Sequence, residues 1–332
     1  MTTGSPRPIR WGILGAGEIA RRLSRCFAAA PNNVGHAIAA RSAERAAAFA
    51  REFGFPVVHP SYEALVDDPE VDAVYVATTH PQHLAQAQLA LRAGRPTLCE
   101  KPLTVNAAEA RALIATAREQ GLLLLEAMWT RFLPAYRQMR AWLRAGEIGA
   151  LTYLSAELGF RSTVGAEHRL FDPLLAGGAL LDVGVYPISL ALDCFGERPQ
   201  RIQALAQLGE TGVDERVAIG LGFADGGIAS LRCSIRDDLK GEAQLVGDGG
   251  TIELAAPWWA GQRVTLRRTG QEAVLREFPA QAEGYEYQLE EFARLLRAGE
   301  RESARLPWAE SLAVMETLDA VRAEIGLRYP FE

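Results

Sequence analysis

From Arg10 to Glu126, short apolar runs alternate with stretches whose apolar positions recur at helical spacing. A parallel, doubly wound sheet requires this order. Arg10–Leu14 (RWGIL) predicts a strand, followed by a helix over Ile19–Ala29. Val34–Ala40 predicts a second strand, and Ser42 caps a helix running to Phe53. Val57 and Val58 form a short third strand, with a short helix over Tyr62–Val66. Asp72–Ala77 is a fourth strand, leading to a helix over His83–Ala93 that stops at Gly94. Thr97–Cys99 is a fifth, and Asn106 caps a helix over Ala107–Gln120. Leu122–Glu126 is the sixth. Six strands joined by crossover helices predict two mononucleotide-binding halves.

After Trp129 the period changes. A helix over Leu133–Ala145 ends at Gly146, and runs alternating at period two follow. They cover Leu151–Phe160, Arg201–Leu208, Arg216–Phe223, Ile228–Ile235, Ala243–Val246, Thr251–Leu254 and Arg263–Arg268. Glycine turns such as Asp225-Gly226-Gly227 and Asp248-Gly249-Gly250 make the hairpins antiparallel. One helix over Leu174–Phe195 interrupts the series, and helices over Tyr285–Ala298 and Trp308–Ile325 close the chain. The expected fold is an N-terminal Rossmann domain over residues 1-128. An open, mostly antiparallel sheet with helices on one face follows over 129-332, its last helix returning near the first domain.

Composition narrows the function. A chain of 332 residues, 48% hydrophobic and 23% charged, is that of a folded two-domain protein. A net charge of -6 argues against nucleic acid or an anionic membrane as partner. No apolar run approaches about 18 residues, and the N-terminus MTTGSPRPIR has no apolar signal core, so a cytoplasmic protein is expected. The 4 cysteines and 5 histidines show no metal-ligand spacing, so buried free thiols and no metal are expected. Of the 35 basic residues only Lys101 and Lys240 are lysine, which gives Lys101 added interest.

Gly15-Ala16-Gly17-Glu18-Ile19-Ala20 fits GxGxxA between a strand and a helix, the context that makes the motif a dinucleotide site. Gly15 permits the tight turn and Gly17 lets backbone approach a pyrophosphate. The helix N-terminus, with Glu18 and Ile19, offers N–H groups to it. The second predicted strand ends Ala39-Ala40-Arg41-Ser42, with Arg45 a turn later and no carboxylate before Glu44. An acid there would hold an unmodified ribose; Arg41, Ser42 and Arg45 suit a 2′-phosphate, so NADP is preferred to NAD.

Several segments in order resemble the glucose-fructose oxidoreductase / inositol dehydrogenase / MocA (Gfo/Idh/MocA) family. They are GxGxxA, Thr78-Thr79-His80-Pro81-Gln82-His83, Glu100-Lys101-Pro102 and Gly177-Gly178-Ala179-Leu180-Leu181-Asp182-Val183-Gly184-Val185-Tyr186-Pro187. The run Glu126-Ala127-Met128-Trp129-Thr130-Arg131-Phe132 and the Asp182/Tyr186 spacing resemble the dimeric dihydrodiol dehydrogenase and NADP-dependent xylose dehydrogenase branch. The inositol dehydrogenase pattern D-x-G-x-H-x-x-D is not kept, since Tyr186 stands for its histidine and Ser189 for its second acid.

The resemblance implies Tyr186 as acid/base, Lys101 as the charge beside it and Asp182 as orienter of substrate or lysine. Oxidising an alcohol needs a base, and an ammonium near a phenol favours its ionised form. Asp182 and Tyr186, four residues apart on a helix, share a face, which fits a purely local pair equally well. Thr78, Thr79, His80 and His83 follow the fourth strand, where a cofactor role and a capping or packing role are both open. Trp129 and Arg131 follow the sixth strand and suit the nicotinamide and phosphates, and Trp129 also suits substrate. Arg161, His168 and Arg169 precede GGALLD and suit substrate hydroxyls. Glu100 reads as the carboxylate holding Lys101.

The expected activity is hydride transfer between NADP and a CH–OH group of a sugar or cyclic polyol, an aldose such as D-xylose or a trans-dihydrodiol. The alternative is a catalytically silent NADP-binding regulator. Period-two strands with one face uncovered predict a homo-oligomer, dimer or tetramer, through the second sheet.

Overall fold

The computed structural model describes residues 7–332. The chain forms two compact units. The first comprises residues up to Thr104, Ala108–Trp129 and Ala280–Trp308; the second comprises Val105–Ala107, Thr130–Pro279 and Ala309–Glu332.

In the first unit the strands are β1 (Ile9–Leu14), β2 (Asn33–Ala39), β3 (Val57–Val58), β4 (Ala73–Val76), β5 (Thr97–Cys99) and β6 (Leu124–Glu126). Between them run α1 (Glu18–Arg25), α2 (Ala43–Phe53), α3 (Tyr62–Val66), α4 (His83–Arg92) and α5 (Ala107–Gln120). All the strand pairs are parallel, in the order β3-β2-β1-β4-β5-β6, which is the doubly wound sheet expected from the alternation. Both faces are covered by helices, so β1 and β4 are buried nearly throughout. Ser42 accepts from the Arg45 N–H and caps α2, as its position predicts.

This unit extends beyond residues 1-128, because Ala280–Trp308 returns to it. The ring of Phe292 lies 4.7 Å from that of Trp11 in β1. The Trp308 indole N–H donates to the Leu124 carbonyl at 2.9 Å.

The second unit is built on α6 (Pro134–Arg144), β7 (Leu151–Gly159), α7 (Val185–Phe195), β8 (Arg201–Leu208), β9 (Asp214–Gly222), β10 (Ile228–Ser234), β11 (Ala243–Gly247), β12 (Gly250–Leu254), β13 (Arg263–Arg268) and β14 (Val274–Glu277). Then come α8 (Glu286–Ala298), which belongs to the first unit, and α9 (Trp308–Glu324), nearly all of which belongs to the second. The sheet order is β14-β13-β12-β11-β7-β10-β9-β8, antiparallel except where β7 pairs with β10. Strand β14 carries no period-two signal strong enough to announce it; three of its four residues are exposed.

Burial alternates along β9 and β10, so one face is core and the other open. Registered neighbours Leu205, Ala218, Arg232 and Glu157 share one face, on which Leu205 is 80% exposed.

The helix expected over Leu174–Phe195 is three pieces. A 3₁₀ turn covers Pro173–Leu175, a π turn covers Leu180–Gly184, and α7 follows. Ala176 and Gly178 take positive φ, 52° and 114°, which no continuous right-handed helix allows. Residues Pro173–Phe195 are also long and apolar enough to cross a membrane, contrary to the expectation that no run approaches that length, but 89% of the most apolar window is buried inside the protein. It is a core segment. All four cysteines are free and buried.

Candidate active site

In the first unit the GxGxxA turn leaves β1 and enters α1. Gly15 has φ +104°, and a Cβ there would lie 2.6 Å from the Ala77 carbonyl oxygen. Gly17 is the N-cap of α1 with no side-chain cap, and a Cβ on it would meet nothing within 4 Å. The helix thus presents uncapped N–H groups to open space, the requirement for a pyrophosphate. Thr78 and Thr79, just past β4, have buried hydroxyl oxygens with no hydrogen-bond partner. Buried hydroxyls are rarely left so, and a polar ligand would satisfy them. These residues fit a dinucleotide.

Around the turn, Glu18 is well exposed and lies 3.8 Å from Arg22 and 3.6 Å from Arg25, while Ile19 begins the helix beside it. In the first turn of α2 the Arg45 guanidinium donates to the Ala16 carbonyl at 3.2 Å, joining that cation to the glycine turn. Arg41 is exposed, and it and Arg45 both bear on the half-buried phenol of Tyr62. His83 is fully buried, its Nδ1 2.9 Å from the Pro102 carbonyl and its Nε2 3.3 Å from the Thr78 carbonyl. It ties the ends of β4 and β5 together. His80 packs edge-on against it, ring centroids 5.7 Å apart.

Glu100 and Lys101 follow β5. Glu100 is 4% exposed; its carboxylate accepts from the Tyr75 phenol and from the Lys101 N–H. Burial pushes this acid up to about 7, against the opposing pull of the Lys101 charge and the two hydrogen bonds; nearby Glu126 adds repulsion. Glu126 in turn accepts from the Leu103 N–H at 3.0 Å. Trp129 stacks on Tyr285 at 4.5 Å and 25°, and burial first, then Glu100, raises the Tyr285 phenol. Tyr75 and Tyr285 escape sequence reasoning. The first looks like core in DAVYVA, and the second lies far along the chain.

In the second unit, Asp182 lies in the π turn and Tyr186 in α7, both buried. Arg169 pairs with Asp182 at 3.1 Å, so the loop before GGALLD is brought to that acid. His168 accepts from the Leu170 N–H through Nδ1 and caps a 3₁₀ turn. The Arg161 N–H donates to Asp238 at 2.9 Å. Arg131 is 4% exposed and pairs with Asp193 at 2.9 Å and Glu310 at 3.0 Å, so its charge is engaged by two carboxylates of its own unit. Among the described residues no group of three or more His, Cys, Asp or Glu is placed to hold a metal ion.

A parallel Rossmann sheet with a dinucleotide turn, followed by an open mixed sheet, defines an NAD(P)-dependent oxidoreductase. Residues 9–128 match the oxidoreductase family with an NAD-binding Rossmann fold, GFO/IDH/MocA, and residues 136–253 match its C-terminal domain. The chain belongs to the GFO/IDH/MocA family.

Among its relatives, trans-1,2-dihydrobenzene-1,2-diol dehydrogenase of Bos taurus is 36% identical over 97% of this chain and 98% of its own length. The Mus musculus enzyme is 37% identical over the same shares. Among solved structures, the 3-ketoreductase KijD10 from Actinomadura kijaniata, in complex with NADP and TDP-benzene, has a TM-score of 0.85 at 30% identity, covering 96% of this chain and 98% of that one. Its structures include variants with a tyrosine changed to phenylalanine and a lysine to alanine. Levoglucosan dehydrogenase, in complex with NADH and levoglucosan, has a TM-score of 0.87 at 20% identity, covering 96% and 98%, a likeness of fold.

Proposed function

We propose that this enzyme transfers a hydride between NADP and a CH–OH group of a trans-dihydrodiol or a sugar such as D-xylose. The observation that carries the reading is full-length similarity to dihydrodiol dehydrogenases, joined to the Glu100-Lys101 pair at the carboxyl end of β5, the sheet edge where such folds bind ligands. No observation favours a silent regulator.

NADP rather than NAD is supported by Arg41, Ser42 and Arg45 after β2. Ser42 spends its oxygen as acceptor on the Arg45 N–H, which leaves its O–H free to donate to a phosphate. Gly15, Gly17 and Ile19 hold the pyrophosphate at the uncapped start of α1, with Glu18 kept to solvent by its arginines. The Thr78 and Thr79 hydroxyls donate to the bound nucleotide, and Trp129 borders it.

When bound, the nicotinamide supplies the acceptor for the substrate's hydride. Tyr186, as the phenolate favoured by the Lys101 ammonium, would take the hydroxyl proton and become the phenol, and Lys101 would donate a hydrogen bond to the substrate oxygen. Asp182 orients substrate, with Arg169, Arg161 and His168 on the neighbouring loop. The variants made in KijD10, tyrosine to phenylalanine and lysine to alanine, concern the same two residue types.

The enzyme is assayed with NADP and trans-1,2-dihydrobenzene-1,2-diol or D-xylose. Tyr186→Phe should lower kcat by orders of magnitude while NADP affinity persists; full turnover in that variant sinks the assignment of Tyr186.

We also infer a homo-oligomer through the open face of the second sheet, where Leu205, Ile228 and Tyr153 are exposed. A groove of about 540 Å³ beside Tyr153, Arg232 and Lys240 marks the same region. Four free, buried cysteines suit a reducing compartment, the cytoplasm.

A further inference from the structure

We propose that Asp214, at the start of β9, is a positioning residue: its carboxylate pins the first turn of the segment that carries Asp182 and Tyr186. The proposal rests on the reading of Tyr186 as acid/base.

That segment has no cap of its own. Ala176 and Gly178 lie in the left-handed region, and Ala179, which precedes the π turn, supplies no side-chain hydrogen bond. The first N–H groups of any helix need outside acceptors. Asp214 provides one: its Oδ2 accepts from the Leu180 N–H at 2.6 Å, and the Ala179 and Asp214 N–H groups also bear on the carboxylate. Negative charge at a helix start is favourable in addition.

The local backbone is shaped around this acid. A Cβ at position 178 would lie 2.1 Å from Asp214 Oδ1, so glycine is required by the carboxylate as well as by φ. Behind it the Tyr329 phenol donates to the Gly177 carbonyl at 2.9 Å, and the Arg322 guanidinium lies 5.1 Å from the Tyr329 ring.

Asp214 is fully buried, and its Oδ1 has no hydrogen-bond partner. Such a group is costly, and an apolar residue of similar volume would fill the space without that cost. What the acid offers over a leucine is the fixed start of the helix, two residues before Asp182 and six before Tyr186. Burial pushes Asp214 up to about 7, opposed by its hydrogen bonds and by Arg322 of α9. The other groups facing it, Tyr329 and Cys233 of β10, are raised by burial and stay neutral there.

The test uses the full chain carrying Asp214→Leu or Asp214→Asn, with NADP and trans-1,2-dihydrobenzene-1,2-diol. For Asp214→Leu, kcat should fall on the order of a hundredfold, the effect of a displacement of about 1 Å at the reacting groups. NADP affinity should be unchanged, and amide hydrogen exchange over residues 178–186 should be faster. Asp214→Asn keeps an oxygen for the Leu180 N–H but loses the charge, so it should recover only the part of kcat that wild type retains when Asp214 is protonated.

An Asp214→Leu protein that binds NADP with unchanged kcat and unchanged exchange overturns the proposal. If that variant does not fold, the pH profile decides. Wild-type kcat should fall on acidification through about pH 7 as the cap loses its charge, and Asp214→Asn should lack that limb; superimposable profiles overturn the proposal. Exchange needs no substrate, so a Tyr186→Phe enzyme with full turnover would sink the acid/base reading while leaving the exchange result standing.

Discussion

The phenol of Tyr75, inside β4, donates a hydrogen bond to the buried carboxylate of Glu100, the residue next to Lys101. A strand residue without surface thus holds the acid that adjoins the one lysine of the first unit. Tyr75 is raised well above its ordinary value by burial, then by the Glu100 charge, so it remains a donor.

Glu100 has a measurable consequence for stability. An unfolded glutamate titrates near 4.5, whereas burial holds Glu100 at about 7. Between those values the native state keeps a proton that the unfolded chain has given up, so stability falls as pH rises through this window. Glu100→Gln removes the titration. Measured side by side, the Tm advantage of wild type over Glu100→Gln should shrink from about pH 4.5 to about pH 7 and be level beyond; a constant difference would refute the assignment.

Cofactor choice is tested at the end of β2. Hydrogen bonds to a charged group contribute about 1.5–3 kcal/mol each. Replacing Arg41 and Arg45 together by alanine should therefore raise KM for NADP by roughly a hundredfold or more and leave KM for NAD nearly unchanged. Equal effects on both cofactors would mean that the arginines hold something common to the two, such as the pyrophosphate.

The open sheet face gives a prediction read by light scattering. Leu205 projects from β8 with 80% of its surface exposed, on the face shared with Arg232 and Glu157. Exposed apolar area of this kind marks an interface. Leu205→Glu should convert an oligomer to monomer without loss of Tm for the isolated chain. A wild-type protein that is already monomeric removes the premise.

Much of this was legible in the chain. The six parallel strands follow from apolar runs bounded by glycine, and the second sheet from alternation at period two, because both patterns are local. The breaks before α7 were not, since Ala176 takes a left-handed conformation that only the tertiary setting imposes on an alanine. Asp214 was also silent. Next to Gly212 and Val213 at the start of a strand it reads as a turn aspartate, and its partner Leu180 is remote in sequence. Tyr285 and α8 return to β1 and β2 by packing of Phe292 on Trp11, contacts for which no motif exists.

Arg131 separates two readings of one residue. Its position after β6 suits a cofactor phosphate, yet its guanidinium lies against Asp193 and Glu310, and Asp193 also takes hydrogen bonds or charge from Tyr136 and Arg140. Removing one member of a buried ion pair leaves uncompensated charge and costs about 3–5 kcal/mol. Arg131→Met should therefore lower stability by that order in denaturant titration, while the folded fraction binds NADP with wild-type affinity. A variant of unchanged stability that binds NADP more weakly would instead make Arg131 a phosphate ligand. Arg131→Met/Asp193→Asn, which removes charge from both sides, should recover part of the lost stability, because the cost lies in the unpaired acid and not in the missing side chain.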